Sequence, residues 1–428
     1  MCVLLIPVDG LLYLLLSYHT FRHISTDGGD FLVKFQANAT SNSNLLPMEL
    51  YIHLPFCRSK CRYCDFASWA GQDGLMAPYV DALLKEAAAV QQKLPENVGI
   101  ITVFIGGGTP STLPEPLLKR LLSGLKETFP INADAEWTTE ANPGTLTQEW
   151  LDTAVSFGVN RLSLGMQAYQ PEMLKMLGRI HDFSQVEQAV SMARHSGISN
   201  ISLDLMFGLP GQTTEMWLET LEKALSLQPK HLSCYGLIPE EGTPMMVDLT
   251  SGRLTLPDEE TERQMYDDTL GILQSHGFEQ YEISNFALPG YACRHNLGYW
   301  RQVPYIGLGA SAASCLPGDG CAYLRRSNPP SIREYIEYVH SGSPKPAEEK
   351  ISHDDAMFET LMLGLRTTKG VSETDFATMH GVSLSNYRGE TLSEIGAAGL
   401  MEHIDGWWRL TRKGMDVQNA VLVRLMDK

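Results

Sequence analysis

Residues 51–66 read Tyr51-Ile-His-Leu-Pro-Phe-Cys57-Arg-Ser-Lys-Cys61-Arg-Tyr-Cys64-Asp-Phe66. A strand-like segment, Glu49–Leu54, runs into Pro55 and then into three thiols spaced C-x3-C-x2-C. The other five cysteines (Cys2, Cys234, Cys293, Cys315 and Cys321) are scattered. Eight cysteines in 428 residues are too few for a disulfide scaffold. Three close thiols in a large acidic chain point instead to a reducing compartment and a metal or redox site.

Outward from this stretch the chain alternates short apolar, β-branched runs with longer helical patterns. The expected strands are Glu49–Leu54, Ile100–Gly106, Glu136–Glu140, Asn160–Gly165, Asn200–Gly208 and His231–Leu237. The expected helices are Pro78–Lys93, Glu115–Thr128, Thr147–Phe157, Phe183–His195, Thr214–Leu225 and Asp258–Ser275. Strand-then-helix units in series predict a parallel sheet with right-handed crossovers. Closed upon itself, that sheet is an incomplete (β/α)6 barrel; an open doubly wound sheet is the alternative. Both put chemistry at the C-terminal ends of the strands. The notable residues fall there: the three cysteines, Gly106-Gly107-Gly108-Thr109-Pro110, Glu140-Ala141-Asn142-Pro143, Gln167, Asp204 and Pro239-Glu240.

Three thiolates suit an iron–sulfur cluster, which is commonly held by four. On a four-iron cluster they leave one iron open to the amino and carboxylate groups of S-adenosylmethionine, whose sulfonium an electron can cleave to a 5′-deoxyadenosyl radical. A zinc site with His53 as fourth ligand, and incidental buried thiols, are the competing readings. The glycine run admits close backbone approach and exposes amides to carboxylates, although it also suits any tight turn.

With its aromatic Tyr63 before the last cysteine, the thiol motif resembles the radical S-adenosylmethionine superfamily. Together with Gly165-Met166-Gln167 and Asp204-Leu-Met-Phe-Gly208-Leu-Pro210-Gly211, it resembles the oxygen-independent coproporphyrinogen III oxidase family from about residue 48 to the C-terminus. The decarboxylating branch carries a further cysteine where this chain has Phe66. Arg294-His295-Asn296-Leu-Gly-Tyr299-Trp300 looks instead like the H-N-x-x-Y-W signature of the HemW heme chaperone branch. The resemblance implies a 4Fe-4S cluster on Cys57, Cys61 and Cys64, and S-adenosylmethionine against Tyr51, Tyr63, Gly107, Gly108, Thr109 and Glu140. It extends to Gln167, Arg179 and Asp204, which in the oxidases help hold a second S-adenosylmethionine; a structural Arg179–Asp204 ion pair is the alternative. His295 is a candidate axial heme ligand, with Cys293 a second, and Tyr299 and Trp300 offer flat surface for a porphyrin. The stretch Ala287–Pro304 reads as a loop covering a substrate. The implied role is heme transfer to acceptor proteins, with an electron donor for the cluster; oxidative decarboxylation of coproporphyrinogen III is the alternative.

Four regions are expected: an extension over 1–47, a barrel over 48–285, a heme-covering segment and linker over 286–350, and a small helical domain over 351–428. Residues 3–17 are apolar but interrupted by Asp9 and Gly10. The run is shorter than the roughly 18–20 residues a membrane helix needs, and the first basic residue is Arg22. It reads as an appendage or an early start codon, with a membrane anchor as the alternative. The C-terminal region has a winged-helix layout, with an Asp405-Gly406 turn in the wing, yet it carries eight Lys and Arg against eleven Asp and Glu. The whole chain has a formal charge of −17. Both balances argue against nucleic-acid binding. The reading is a cytoplasmic protein, with a homodimer and peripheral membrane contact left open.

Overall fold

The computed structural model describes residues 45–426; the apolar run at 3–17 lies outside them. Strands β1 (Leu46–Leu54), β2 (Val98–Gly107), β3 (Ile131–Ala141), β4 (Arg161–Gln167), β5 (Asn200–Phe207) and β6 (His231–Gly236) lie side by side in chain order, all parallel. A doubly wound sheet reverses its order at a switch point. The consecutive order therefore decides for the barrel. Helices α1 (Met76–Gln91), α2 (Glu115–Thr128), α3 (Gln148–Ser156), α4 (Pro171–Leu177), α5 (Phe183–His195) and α6 (Thr214–Ser226) fill the connections. The barrel is incomplete because β6 never reaches β1.

The strand register sorts the side chains. Glu49, Tyr51 and His53 stand opposite Thr102, Phe104 and Gly106, and Glu140, Ser163, Asp204 and Ser233 continue the same face. Successive residues alternate faces. Leu50, Ile52, Leu54, Val103, Ile105, Leu162, Leu164, Leu203 and Leu205 therefore point the other way, into one core with the helices. Buried parallel strands are usually apolar on both faces; here the inward face is polar, which marks it as a working surface.

Beyond β6 come α7 (Pro244–Thr250), α8 (Glu259–Ser275) and the antiparallel strands β7 (Glu279–Glu282) and β8 (Asn285–Ala287). Two expectations fail in the next stretch. Residues 294–300 form a helix, α9 (Arg294–Trp300), not an open loop. The expected linker adds β9 (Tyr305–Leu308), β10 (Ala313–Gly318), β11 (Cys321–Ser327) and β12 (Ala347–Ile351) to the sheet, with α10 (Ile332–Ser341) packed on α1. Its anchor is Glu86 of α1, a buried carboxylate that accepts from the Gly309 amide (3.0 Å), Asn328 Nδ2 (2.7 Å) and Tyr335 Oη (2.7 Å). The first strand also starts earlier than its sequence pattern, because the Leu46 amide pairs with the Asn97 carbonyl at 2.7 Å.

The remainder has its own core, including Leu361, Phe376, Leu392 and Leu425. It comprises α11 (His353–Gly364), α12 (Glu373–His380), α13 (Leu384–Ala397) and a three-stranded sheet of β13 (Val371–Ser372), β15 (Trp407–Leu410) and β14 (Met401–Ile404). Asp405 and Gly406 turn the β14–β15 hairpin with positive φ at both positions, as a two-residue primed turn requires. The expected last helix is two, α14 (Arg412–Asp416) and α15 (Gln418–Met426). Among the described residues no helix is long and apolar enough to cross a membrane.

Candidate functional site

The thiol loop leaves β1 through Pro55. It is closed where Phe56–Cys57 pairs with Trp69–Ala70. Cys57, Cys61 and Cys64 are free. Lys60 staples the loop, its Nζ donating to the Phe66 carbonyl at 2.8 Å and the Ser68 carbonyl at 3.1 Å. The Arg62 amide donates to the Leu177 carbonyl (3.0 Å) and its carbonyl accepts from Met245 (2.9 Å), so α4 and α7 grip the loop from outside. Asp248 then binds the Arg62 and Arg253 guanidiniums. Thr109 Oγ1 donates to Cys57 Sγ at 3.6 Å, and Arg179 Nη1 to Cys61 Sγ at 3.4 Å. Burial raises the Cys57 thiol and pushes Cys64 up to about 11, so both are protonated at neutral pH until a metal displaces the proton.

Among the described residues, no three His, Cys, Asp or Glu side chains converge closely enough to hold a single ion. A four-iron cluster takes each thiolate on a different iron and needs no such convergence. His53, the expected fourth ligand of a zinc site, is engaged elsewhere. Its Nε2 donates to the Ala67 carbonyl at 2.8 Å, which leaves Nδ1 to accept from Tyr51 Oη at 2.9 Å. Burial lowers its pKa to about 4, so the ring is neutral.

The glycine run passes directly beneath. Gly107 has φ +112°, and a Cβ there would meet the His53 ring at 2.6 Å; one on Gly108 would meet the Phe56 carbonyl oxygen at 2.7 Å. The Gly107 amide donates to Glu140 Oε2 at 3.1 Å. His53 thus brackets β1, the thiol loop and the glycine run together. The sequence pattern offers it only as a zinc ligand; the signal for its bracketing role is its place two residues after Tyr51, on the inward face.

Farther along the rim, Gln167 ends β4 with φ +66°. Asp204 accepts from Ser163 Oγ at 3.0 and 3.1 Å. Burial and the nearby Glu140 carboxylate raise its pKa to about 6, against the hydroxyls of Ser233 and Ser163. Arg179 does not pair with it. That guanidinium goes to Cys61 and, through Nη2, to the Gly165 carbonyl at 2.7 Å, so the structural ion pair is not formed. Tyr63 packs beside Arg179 and Cys61, and burial drives its hydroxyl pKa upward.

Residues 51–224 match the radical SAM superfamily model, and residues 351–417 match the HemN C-terminal domain model. The chain is 37% identical over 373 residues to the heme chaperone HemW of Bacillus subtilis, covering 87% of this chain and 97% of that one. This chain belongs to the HemW family. HemW of Escherichia coli is 34% identical, covering 88% of this chain and 98% of its own length. Among solved structures, Escherichia coli coproporphyrinogen III oxidase (HemN) superposes with a TM-score of 0.75 at 22% identity, covering 89% of this chain and 90% of that one; it shares the fold.

The segment 294–300, which resembles the H-N-x-x-Y-W signature, is folded inward. His295 is wholly buried, its ring stacked on Phe104 at 5.1 Å. Thr102 Oγ1 lies 2.7 Å from His295 Nδ1 and 3.2 Å from Glu49 Oε1, while Tyr299 Oη lies 3.0 Å from His295 Nε2. Thr102 Oγ1 donates to Glu49 Oε1, so its oxygen accepts from His295 Nδ1–H and His295 Nε2 accepts from Tyr299 Oη. Burial holds His295 neutral and raises Glu49 well above the usual carboxylate range. Neither ring nitrogen is free, which corrects the expectation of an imidazole on an open loop. Cys293 is equally buried, 3.4 Å from Glu136 Oε1, with its thiol pushed up to about 12. Trp300 is buried on another side of α9, under the Arg366 guanidinium at 4.8 Å, and Arg366 is paired with buried Glu282 at 3.0 Å. A cavity of about 210 Å³ opens between the thiol loop and α9, walled by Tyr51, His53, Phe66, Gly107, Tyr299 and Tyr305. Ligand-enclosing pockets measure roughly 300–1,000 Å³. This one takes a small group or the edge of a larger one.

Proposed function

We propose that this chain is a heme chaperone that holds a 4Fe-4S cluster and S-adenosylmethionine and passes heme to acceptor proteins, drawing electrons from a separate donor. One observation carries the reading: three free thiols and a side-chain-free glycine cradle share one rim, in a chain that matches relatives named heme chaperone HemW over nearly their full length.

Cys57, Cys61 and Cys64 would each bind one iron. Glu140, with the Gly107 and Gly108 backbone and Thr109, would receive the amino and carboxylate end of S-adenosylmethionine. A cluster bound here supplies one-electron reduction to the sulfonium. The chain's own residues do the rest. Gly107 and Gly108 let the run pass against the His53 ring and the Phe56 backbone, where any side chain would clash. Neutral His53 holds its proton toward Ala67 and fixes Tyr51, which adds a ring to the cavity wall. Gln167 and Asp204, with Tyr63 and Arg179 nearer the thiols, extend the cradle along the rim. Heme would approach at the cavity, where Tyr299 offers its ring edge-on to Tyr305 at 4.6 Å and Phe66 stands where a further cysteine would change the chemistry. His295 then acts through Tyr299, whose hydroxyl it fixes, and Trp300 braces α9 against the C-terminal unit.

The test is anaerobic reconstitution with iron and sulfide, then heme titration with and without S-adenosylmethionine, and transfer to an apo-hemoprotein. Iron loading and heme binding are expected. Efficient turnover of coproporphyrinogen III would overturn the reading in favour of the decarboxylase, and one zinc per chain without iron would remove the cluster.

A further inference from the structure

Arg179 is delivered to the thiol loop by the fold itself. Helix α4 ends at Leu177, and Gly178 caps it with φ +74°. A Cβ on Gly178 would meet Arg62 Cγ at 3.0 Å, so the cap sits against the loop. The Leu177 carbonyl accepts from the Arg62 amide at 3.0 Å, and the Arg179 amide returns to the Leu174 carbonyl at 2.9 Å. Backbone bonds therefore fix Arg179 relative to the segment between Cys61 and Cys64. Its side chain makes two directed contacts: Nη1 to Cys61 Sγ at 3.4 Å and Nη2 to the Gly165 carbonyl at 2.7 Å. Its Nε is buried without a hydrogen-bond partner. The nearby His181 adds no charge, because burial and Arg179 itself lower its pKa to about 4. Of the loop's own cations, Lys60 spends its ammonium on backbone carbonyls, Arg62 is paired with Asp248 and Arg58 is exposed.

We propose that Arg179 is a positioning residue that raises the reduction potential of the cluster by donating Nη1–H to the Cys61 sulfur. The inference rests on the cluster reading above. Hydrogen bonds to cluster sulfurs and local net charge are the protein's levers on the potential. One electron from the donor makes the site one unit more negative, with no bond broken and no proton taken up. A fixed cation beside a ligand sulfur favours the more negative, reduced form, so losing it lowers the midpoint. Contact with Cys61 also distinguishes this role from that of a ligand contact on the far rim.

The experiment is a potentiometric titration of the reconstituted protein, followed by electron paramagnetic resonance, for wild type, Arg179→Gln and Arg179→Lys, each with its iron content measured. At equal iron load Arg179→Gln should show about a tenfold lower reduced-to-oxidised ratio at a fixed poise, equivalent to 59 mV for one electron. Arg179→Lys should fall between. If Arg179→Gln fails to hold iron, Gly165→Ala decides, titrated without S-adenosylmethionine: its methyl would meet Arg179 Nη2 and Gln167 Nε2, both at 2.8 Å, and move the guanidinium while leaving the charge in the chain. A midpoint matching wild type in a loaded variant overturns the proposal. A wild type without a cluster signal overturns the cluster reading instead.

Discussion

Replacing Asp204 by Asn should stabilise the fold above pH 6 while weakening ligand binding. The carboxylate stands on the inward face of β5, bonded to Ser163, with Glu140 as a like-charged neighbour. Burial first, and Glu140 second, raise its pKa from 3.8 to about 6. The folded chain thus holds this proton more tightly than the unfolded one. The stability linked to it is complete below pH 3.8 and lost as pH rises through 6. Roughly two pH units at 1.36 kcal/mol each put the penalty of the ionised form at about 3 kcal/mol. An amide cannot ionise, and its oxygen still accepts from Ser163. Asp204→Asn should therefore match wild type near pH 4 and exceed it by about 1–3 kcal/mol at pH 7.5. Guanidinium unfolding across this range measures the difference, and S-adenosylmethionine titration of the loaded protein should show the accompanying loss of affinity. A variant less stable than wild type by the same amount at every pH would refute the reasoning, because it would make the carboxylate a structural acceptor. A gain is expected because binding sites retain charges that folding alone would discard.

Replacing Cys61 by Ala should abolish the intact cluster; full iron content by colorimetric assay would contradict the assignment, and the same holds for Cys57 and Cys64. Changing Glu86 to Leu leaves the Gly309 amide, Asn328 and Tyr335 without their acceptor. At about 1–3 kcal/mol for a buried unsatisfied group, a loss of roughly 3–5 kcal/mol by denaturant unfolding is expected. His295→Ala should lower both stability and heme affinity while leaving iron content intact. Unchanged heme affinity would detach α9 from the heme site.

The barrel strands and helices were legible because each strand is short, apolar on one face and followed by a helical period. Their lateral order was not legible, since a doubly wound sheet is written in the same alternation; only pairing such as Glu49 with Thr102 and Thr102 with Glu136 separates the two. The rim was legible for the same reason that the strands were: chemistry-bearing residues cluster where strands end. Two regions defeated the reading. Strand β12, Ala-Glu-Glu-Lys-Ile, has hardly any apolar pattern and exists because β11 pairs with it, Arg325 reaching both Glu349 and Glu359. Helix α9 has seven residues, too short for local propensity to specify, and is held by tertiary contacts through His295, Tyr299 and Trp300.

That helix also shows why a sequence signature and a ligand set need not coincide. Its three marked residues face three directions. His295 enters the barrel and closes a donor chain that ends at Glu49, Tyr299 stands in the cavity wall, and Trp300 meets Arg366, which follows α11 and pairs with Glu282 of β7. Glu49 leaves no slack: a Cβ on Gly298 would lie 1.9 Å from its carboxylate. A side chain at Gly298, or a hole at His295, must therefore displace Tyr299, although neither position touches the cavity. The segment ties the inward face of β1 and the C-terminal unit to one wall of the cavity. On the proposed heme reading, a change at His295 should alter heme affinity by moving Tyr299, and a Tyr299→Phe variant isolates the hydroxyl that His295 holds.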